Sequence, residues 1–139
     1  MISFASYFAQ GLRSTLRLLN GTNFSYKGPW VQIYPDTVID QWYVGEFMSA
    51  EYTISVDYDT FKKEIIKCLV VAAPGTTQIT VYGRSNLGDN LVDLAATVDN
   101  SKVTLIANPA TSLDGSTVYL GSKLIFSANY YYTQNELVV

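Results

Sequence analysis

Large apolar residues alternate with polar residues along much of this chain from residue 51 onward, and no other feature constrains the fold as strongly. The alternation is clearest at residues 51–58, 77–82 and 123–130. Successive side chains of a β-strand point to opposite faces, so a period of two indicates strands with one buried face and one face in solvent. The sequence therefore predicts a β-rich domain.

Turn-forming residues separate the predicted strands. Ala73-Pro-Gly-Thr76 and Asp99-Asn-Ser101 are short enough for hairpins, and residues 109–121 form a long polar loop. No helical stretch lies between the strands, which favours an antiparallel β-sandwich or a flattened barrel. The strands are expected at residues 42–47, 51–57, 64–72, 78–84, 91–98, 102–107 and 123–132.

Residues 1–20 follow a helical period instead. Their apolar residues recur every three or four positions, which gathers them on one face of an amphipathic helix. Ser3 is suited to cap its start, and Asn20-Gly21 is suited to end it. The predicted apolar face consists of Phe4, Tyr7, Phe8, Leu12, Leu16 and Leu19.

We predict two parts, an N-terminal helix and connecting arm at residues 1–40 and a β-sandwich domain at residues 41–139. The arm is expected to contain a turn at residues 27–30 and a short strand at residues 30–34. The apolar helix face needs a cover, which could be the chain's own sheet or a neighbouring chain. A membrane surface is less favoured, because interfacial helices usually carry more Lys and Arg on the polar face.

Composition points towards an assembly. Charged residues make up 15% of the chain and apolar residues 48%, whereas roughly 25% charged residues is usual. A small domain with so few charges leaves apolar surface that is best covered by another protein, so a homo-oligomer or a larger assembly is expected. The nine basic residues are scattered and the net charge is −3, so nucleic acid is not an expected partner.

The chain offers few groups for catalysis. It has no histidine, and its one cysteine, Cys68, lies in an apolar run and is expected in the core. The remaining candidates are the carboxylate pairs Asp57/Asp59 and Asp89/Asp93, which we interpret as solvated turn residues. Arg84 is expected to brace the following turn through Asp89 or Asp93 at the surface. We therefore predict no enzyme activity, no cofactor and no metal site.

The N-terminal residues do not have the pattern of a secretory signal. Residues 1–20 lack a basic start, and no apolar run approaches the ~18 residues of a membrane span. We expect synthesis in a cytoplasm and no membrane partner. The glycosylation-like triplets at residues 20–22 and 23–25 are then interpreted as loop residues.

Aromatic residues are the best candidates for an interaction surface. Tyr and Trp combine a large rigid area with a polar tip, and they are common both in protein interfaces and in sugar-binding faces. In Tyr130-Tyr-Tyr132, Tyr131 is expected on the opposite face from its two neighbours. A subunit interface is favoured, and binding of carbohydrate stays open. Outside the helix the interface candidates are Trp30, Tyr34, Trp42 and Tyr43.

Residues 42–137 resemble a β-rich module of virion structural proteins from tailed cyanophages, which recurs in large tail-fibre and baseplate-type proteins. The resemblance is carried by Glu51-Tyr-Thr-Ile-Ser-Val-Asp57, Lys63-Glu-Ile-Ile-Lys-Cys-Leu69, Val81-Tyr-Gly-Arg-Ser-Asn-Leu-Gly88 and Phe126-Ser-Ala-Asn-Tyr130. It implies a non-enzymatic role in a virion and carries no catalytic residues.

The sequence thus predicts a phage virion structural subunit, associated with the tail, baseplate or neck and docked on other virion proteins through its N-terminal arm. Two alternatives stay open, a capsid decoration protein and a β-sandwich module that binds host glycans. In each case the protein is expected in the virion after synthesis in the host cytoplasm.

Overall fold

The computed structural model describes residues 23–133, and this part of the chain forms nine β-strands. All the strand pairs within it are antiparallel. The predicted N-terminal helix, with Phe4, Tyr7, Phe8, Leu12, Leu16 and Leu19, lies outside the described residues. The strands are β1 (Asn23–Lys27), β2 (Val31–Ile33), β3 (Thr37–Tyr43), β4 (Phe47–Asp57), β5 (Lys63–Ala73), β6 (Thr76–Asn86), β7 (Val92–Asp99), β8 (Lys102–Pro109) and β9 (Ser122–Tyr132).

The strands form two sheets. The larger sheet has the order β1-β9-β4-β5-β6, with β2 also paired to β9, and the smaller sheet has the order β3-β8-β7. Buried residues of both sheets belong to one hydrophobic core, which is the arrangement of a β-sandwich. The mainly β, antiparallel prediction is confirmed. The sheets do not close on each other, so the flattened-barrel alternative is wrong.

Strict alternation of burial shows how the sequence builds the core. Along β5 every second residue is buried, and the residues between them are exposed. Cys68 is one of the buried residues, as the sequence predicts. Burial raises the pKa of its thiol to about 12, so the thiol is protonated at neutral pH. The core also holds Trp42, Tyr52 and Tyr130, each fully buried.

The two predicted hairpins are confirmed. Ala73 pairs with Thr76, and Asp99 pairs with Lys102, so each connection has two residues. Gly75 and Asn100 each adopt a positive φ, of 78° and 57° respectively. Glycine and asparagine tolerate this left-handed conformation better than other residues, which is why these short turns form here.

The predicted strand at residues 42–47 is wrong. Tyr43 ends β3 and Phe47 begins β4, and the backbone N–H of Glu46 donates to the carbonyl oxygen of Tyr43 across a tight turn (3.0 Å). Tyr132 pairs with Phe47 and Tyr131 pairs with Ser49, so a bulge interrupts the start of β4. That bulge breaks the period of two and hides the strand boundary in the sequence.

The connecting arm contains more strand than the sequence predicts. The turn at residues 27–30 and a short strand after it are present, but β1 and β3 were not expected. Asn23 and Ser25 lie in β1, so the loop interpretation of the triplet at residues 23–25 is wrong. Because β1, β2 and β3 all pair with strands of the two sheets, the predicted boundary at residue 41 falls within the folded domain.

Gly28 bends the chain between β1 and β2. Lys27 pairs with Ser127 and Val31 pairs with Leu124, so three residues stand opposite two at this point. The N–H of Gly28 still donates to the carbonyl of Phe126 (2.9 Å), and the Phe126 ring fills the space that a side chain would need. The bulge therefore depends on the missing side chain at position 28.

Substituting Gly28→Ala is expected to destabilise the fold by about 1–3 kcal/mol, because overpacking forces a buried ring to move. An ideal Cβ at this position would lie 2.4 Å from the Phe126 ring. Denaturant unfolding measures the effect. Gly45→Ala is the matched control, since a Cβ at position 45 meets nothing within 4 Å; equal loss of stability in both variants would contradict the packing argument.

Candidate functional site

A row of polar side chains crosses one end of the larger sheet on its outward face. Gln32 pairs with Lys123, Lys123 pairs with Asp57, and Asp57 pairs with Lys63, so β2, β9, β4 and β5 each contribute one member. Paired residues share a face of the sheet, and neighbouring strands lie about 4.8 Å apart. We call these four residues the polar row.

The polar row alternates in charge. Lys63 donates from Nζ to Oδ1 of Asp57 at 2.7 Å, and both side chains are nearly half exposed. Such a surface pair contributes only about 0–1 kcal/mol to stability. Two ammonium groups and one carboxylate make this end of the sheet locally positive, although the whole chain has a net charge of −3.

Trp30 stands beside the polar row with 56% of its surface exposed. It lines two adjoining cavities, and Asp57 lines both of them as well. One cavity, of about 510 Å³, is bordered by Val31 and three members of the polar row, Gln32, Asp57 and Lys123. The other, of about 360 Å³, extends towards β5 and β6, where its wall includes Ser55, Lys63, Ile65, Ser85 and Leu87. We call the two together the Trp30 cleft.

A second feature of the same face is apolar. Ile65, Leu69 and Val71 lie at outward positions of β5 and are each exposed by 44–54%. We call these three residues the β5 stripe. Between Val71 and Tyr131 the surface forms a shallow groove of about 310 Å³. Apolar surface of this kind is typical of a contact with another protein.

The structure separates the predicted aromatic candidates. Trp30, Tyr34 and Tyr43 are exposed by 56%, 50% and 42%. Trp42 is fully buried, and its indole Nε1 donates to the hydroxyl of Tyr52 (3.0 Å), so it belongs to the core and offers no surface to a partner. Tyr131 is exposed by 39% while Tyr130 and Tyr132 are buried, as the alternation predicts.

Of the four predicted turn aspartates, Asp57 and Asp93 instead lie in strands β4 and β7, and Asp57, Asp59 and Asp89 have structural contacts. Oδ1 of Asp59 accepts the backbone N–H groups of Phe61 and Lys62, each at 2.8 Å, which confirms a turn residue. Asp89 was expected to be solvated, but its side chain is only 13% exposed. It accepts hydrogen bonds from the Tyr119 hydroxyl and from the backbone N–H of Leu113 (3.1 Å). Asp89 therefore ties the long loop to the turn after β6.

These contacts shift two pKa values in opposite directions. The hydrogen bond from Tyr119, followed by that from the Leu113 N–H, lowers the pKa of the Asp89 carboxyl. The same hydrogen bond, which Tyr119 donates to Asp89, raises the pKa of Tyr119 to about 12. Both groups thus favour the state in which the tyrosine donates to a charged carboxylate.

Arg84 has a different partner from the predicted one. Its guanidinium Nη1 donates to Oε2 of Glu64 at 2.8 Å and to the carbonyl of Val92 at 3.1 Å. The Glu64 side chain is fully buried and accepts two further hydrogen bonds, from Asn86 (3.0 Å) and from the backbone N–H of Leu91 (3.0 Å). The sequence did hold a signal for this site, since Glu64 occupies an inward position in the alternation of β5.

Within residues 23–133 no group of three or more His, Cys, Asp or Glu side chains is placed to hold a metal ion. The same part of the chain contains no helix long and apolar enough to span a membrane.

No protein-family model and no curated protein sequence matches the chain. Among solved structures it is similar to the tailspike protein of Acinetobacter baumannii phage AM24, with 12% identity and a TM-score of 0.47, over 84% of this chain and 27% of the tailspike. The tailspike of Acinetobacter phage vB_ApiP_P1 gives 11% identity and a TM-score of 0.38, over 81% of this chain and 21% of that one.

A third similar structure is a tailspike from Acinetobacter baumannii bacteriophage Fri1, a capsular polysaccharide depolymerase. It gives 10% identity and a TM-score of 0.35, over 78% of this chain and 17% of the tailspike. The chain thus spans 27% or less of the length of each of these proteins.

Proposed function

We propose that this protein is a non-enzymatic structural module of a tailed-phage virion, and that it docks on other virion proteins through its N-terminal arm. A position in the tail, baseplate or neck is the preferred one. The resemblance of residues 42–137 to tail-fibre and baseplate-type modules supports this role. The protein is then made in the host cytoplasm and ends in the virion, in several copies.

The observation that carries the proposal is the apolar character of the exposed surface. Fifteen large apolar side chains are exposed within residues 23–133, and the β5 stripe places three of them on one strand. Lys67 is the one charged residue at the outward positions between Ile65 and Val71, and charged residues make up only 15% of the chain. An exposed apolar patch of this kind is typical of a contact with another protein.

The contacts of the carboxylates also support a non-enzymatic role. Asp59 and Asp89 accept backbone N–H groups that shape turns and loops, and Glu64 neutralises Arg84 inside the sandwich. Asp57 forms an ion pair with Lys63 across the sheet. Each of these carboxylates thus has a structural partner.

Deletion of residues 1–22 tests the role of the arm. The truncated protein is expected to fold and unfold cooperatively, because β1 to β9 all begin after this segment. It is also expected to be lost from particles, since the apolar face of the predicted helix supplies the docking surface. Circular dichroism measures the fold, and mass spectrometry of purified particles measures incorporation.

Point variants on the two faces of the predicted helix provide the control. Phe8→Ser with Leu12→Ser is expected to reduce incorporation as the deletion does, whereas Gln10→Ser with Arg13→Ser on the polar face should leave it intact. Normal incorporation of the deletion variant would contradict the role of the arm. Gold labelling of a tag on intact particles separates a tail or neck position from capsid decoration.

A further inference from the structure

Trp30 is an exposed indole whose backbone is anchored on both sides. On one side, the N–H of Gly28 is bonded to Phe126 and the Phe126 ring packs against the Gly28 backbone. On the other side, Val31 pairs with Leu124 of β9. Because the chain is anchored on both sides, the ring can receive a ligand with little additional loss of backbone freedom.

The groups beside Trp30 are suited to hydroxyl-rich ligands. The amide of Gln32 can both donate and accept hydrogen bonds, the ammonium of Lys123 donates, and the carboxylate of Asp57 accepts. Saccharide hydroxyls likewise donate and accept, and the apolar face of a sugar ring can lie flat on an indole. An apolar surface with a few directed polar groups is the usual composition of a small-ligand site.

The charge of the cleft selects among saccharides. Asp57 is already paired with Lys63, and Glu64, at the inner wall, is paired with Arg84. Lys123 forms no ion pair with any other described residue, and its side chain borders the larger cavity. An unpaired ammonium beside an aromatic platform favours a ligand that carries a carboxylate.

A protein partner fits the Trp30 cleft less well. An apolar interface needs continuous apolar area at its centre, with charged residues depleted there. Here the indole is bordered by Gln32, Asp57 and Lys123, and the exposed apolar residues of the cleft, Ile65 and Leu87, share the other cavity with Asp57 and Lys63.

We propose that the Trp30 cleft is a binding site for acidic oligosaccharides, in which Trp30 stacks on a sugar ring and Lys123 binds a sugar carboxylate while Gln32 and Asp57 bind hydroxyls. The site adds a glycan-binding activity to the proposed structural role. It does not depend on that role, since the arm and the cleft can be tested separately.

The experiment measures binding of the full-length protein to a panel of acidic oligosaccharides, with uronate and sialate members, by isothermal titration calorimetry. Neutral oligosaccharides of the same lengths and polyglutamate are the comparison ligands. Acidic members are expected to bind, and Trp30→Ala is expected to weaken them by about tenfold or more, as truncation of a central tryptophan does in other binding sites. Lys123→Gln should weaken the acidic members and leave the neutral ones unchanged.

Tyr131→Ala is the matched control. Tyr131 is another exposed aromatic on the same sheet, eight residues along β9 from Lys123, and so about 26 Å away. This variant should bind as the unmodified protein does. The proposal is overturned if no acidic member binds, if Trp30→Ala leaves binding unchanged, if neutral members bind equally well, or if polyglutamate binds with the same dependence on Trp30.

Discussion

Replacing Glu64 with alanine is expected to lower the free energy of unfolding by about 3–5 kcal/mol, because removal of one partner leaves a buried charge uncompensated. The Glu64 side chain is fully buried, and Arg84, with which it pairs at 2.8 Å, is 21% exposed. The substitution also leaves the backbone N–H of Leu91 without its acceptor. Urea unfolding followed by circular dichroism measures the loss.

A second variant separates the charge from the packing. Glu64→Leu combined with Arg84→Met replaces the ion pair with apolar groups, and it is expected to recover part of the loss seen in Glu64→Ala. Glu51→Ala on the neighbouring strand is the surface control, since Glu51 accepts a hydrogen bond from the exposed Tyr82 hydroxyl. A loss in Glu64→Ala no larger than that in Glu51→Ala would contradict the buried-pair argument.

Alternation predicts long regular strands well and interrupted ones poorly. The predicted strands at residues 64–72 and 123–132 differ from β5 and β9 by at most one residue at either end. These strands keep a period of two over their whole length because one face is buried throughout. At the start of β4 and at the bulge around Gly28 the period is broken, so the alternation of residues marks no strand boundary there.

The candidate site could be predicted only in part. Trp30 is recognisable from the sequence as an aromatic residue after a turn, and it is exposed as expected of an interface candidate. Its polar neighbours are not recognisable, because Gln32, Asp57 and Lys123 are far apart in the chain. Only the pairing of three strands brings them into one row, and local alternation does not show which strands pair.

Trp42 was predicted as an interface residue but lies in the core. The segment around it combines Asp40 and Gln41 with two aromatic residues, which is a typical surface composition. Asp40 and Gln41 are nevertheless buried, at 2% and 6% exposure. Hydrogen bonds from other strands satisfy the Asp40 carboxylate, and such tertiary contacts leave no trace in local sequence.

Removal of the Asp40 carboxylate is expected to cause the second large loss of stability. Oδ2 of Asp40 accepts the hydroxyl of Tyr52 (2.7 Å) from β4 and the hydroxyl of Tyr130 (2.6 Å) from β9, so one residue of the smaller sheet binds two strands of the larger sheet. Asp40→Ala leaves two buried hydroxyls without this acceptor, at about 1–3 kcal/mol for each unsatisfied group. The free energy of unfolding should fall by about 2–6 kcal/mol in total.

The pH dependence of the free energy of unfolding is a second test of the hydrogen bonds between Asp40 and the hydroxyls of Tyr52 and Tyr130. Burial, and after it the charge of Asp40, raises the pKa of Tyr52 well above its ordinary value of 10.0. Tyr52 then keeps its proton in the folded protein while the unfolded chain loses it, so its contribution is fully present below pH 10 and decreases as the pH rises further. Tyr52→Phe should therefore flatten the loss of stability above this pH.

Tyr58→Phe is the control for the alkaline measurement. Tyr58 is partly buried and packs its ring edge-on against Tyr119 at 4.8 Å, outside the Asp40 network. Tyr58→Phe is therefore the reference for removing a tyrosine hydroxyl outside this network, and Tyr52→Phe is expected to flatten the slope more than Tyr58→Phe does. If Tyr52→Phe and Tyr58→Phe flatten the slope equally, the raised pKa of the buried Tyr52 hydroxyl does not account for the loss of stability at alkaline pH.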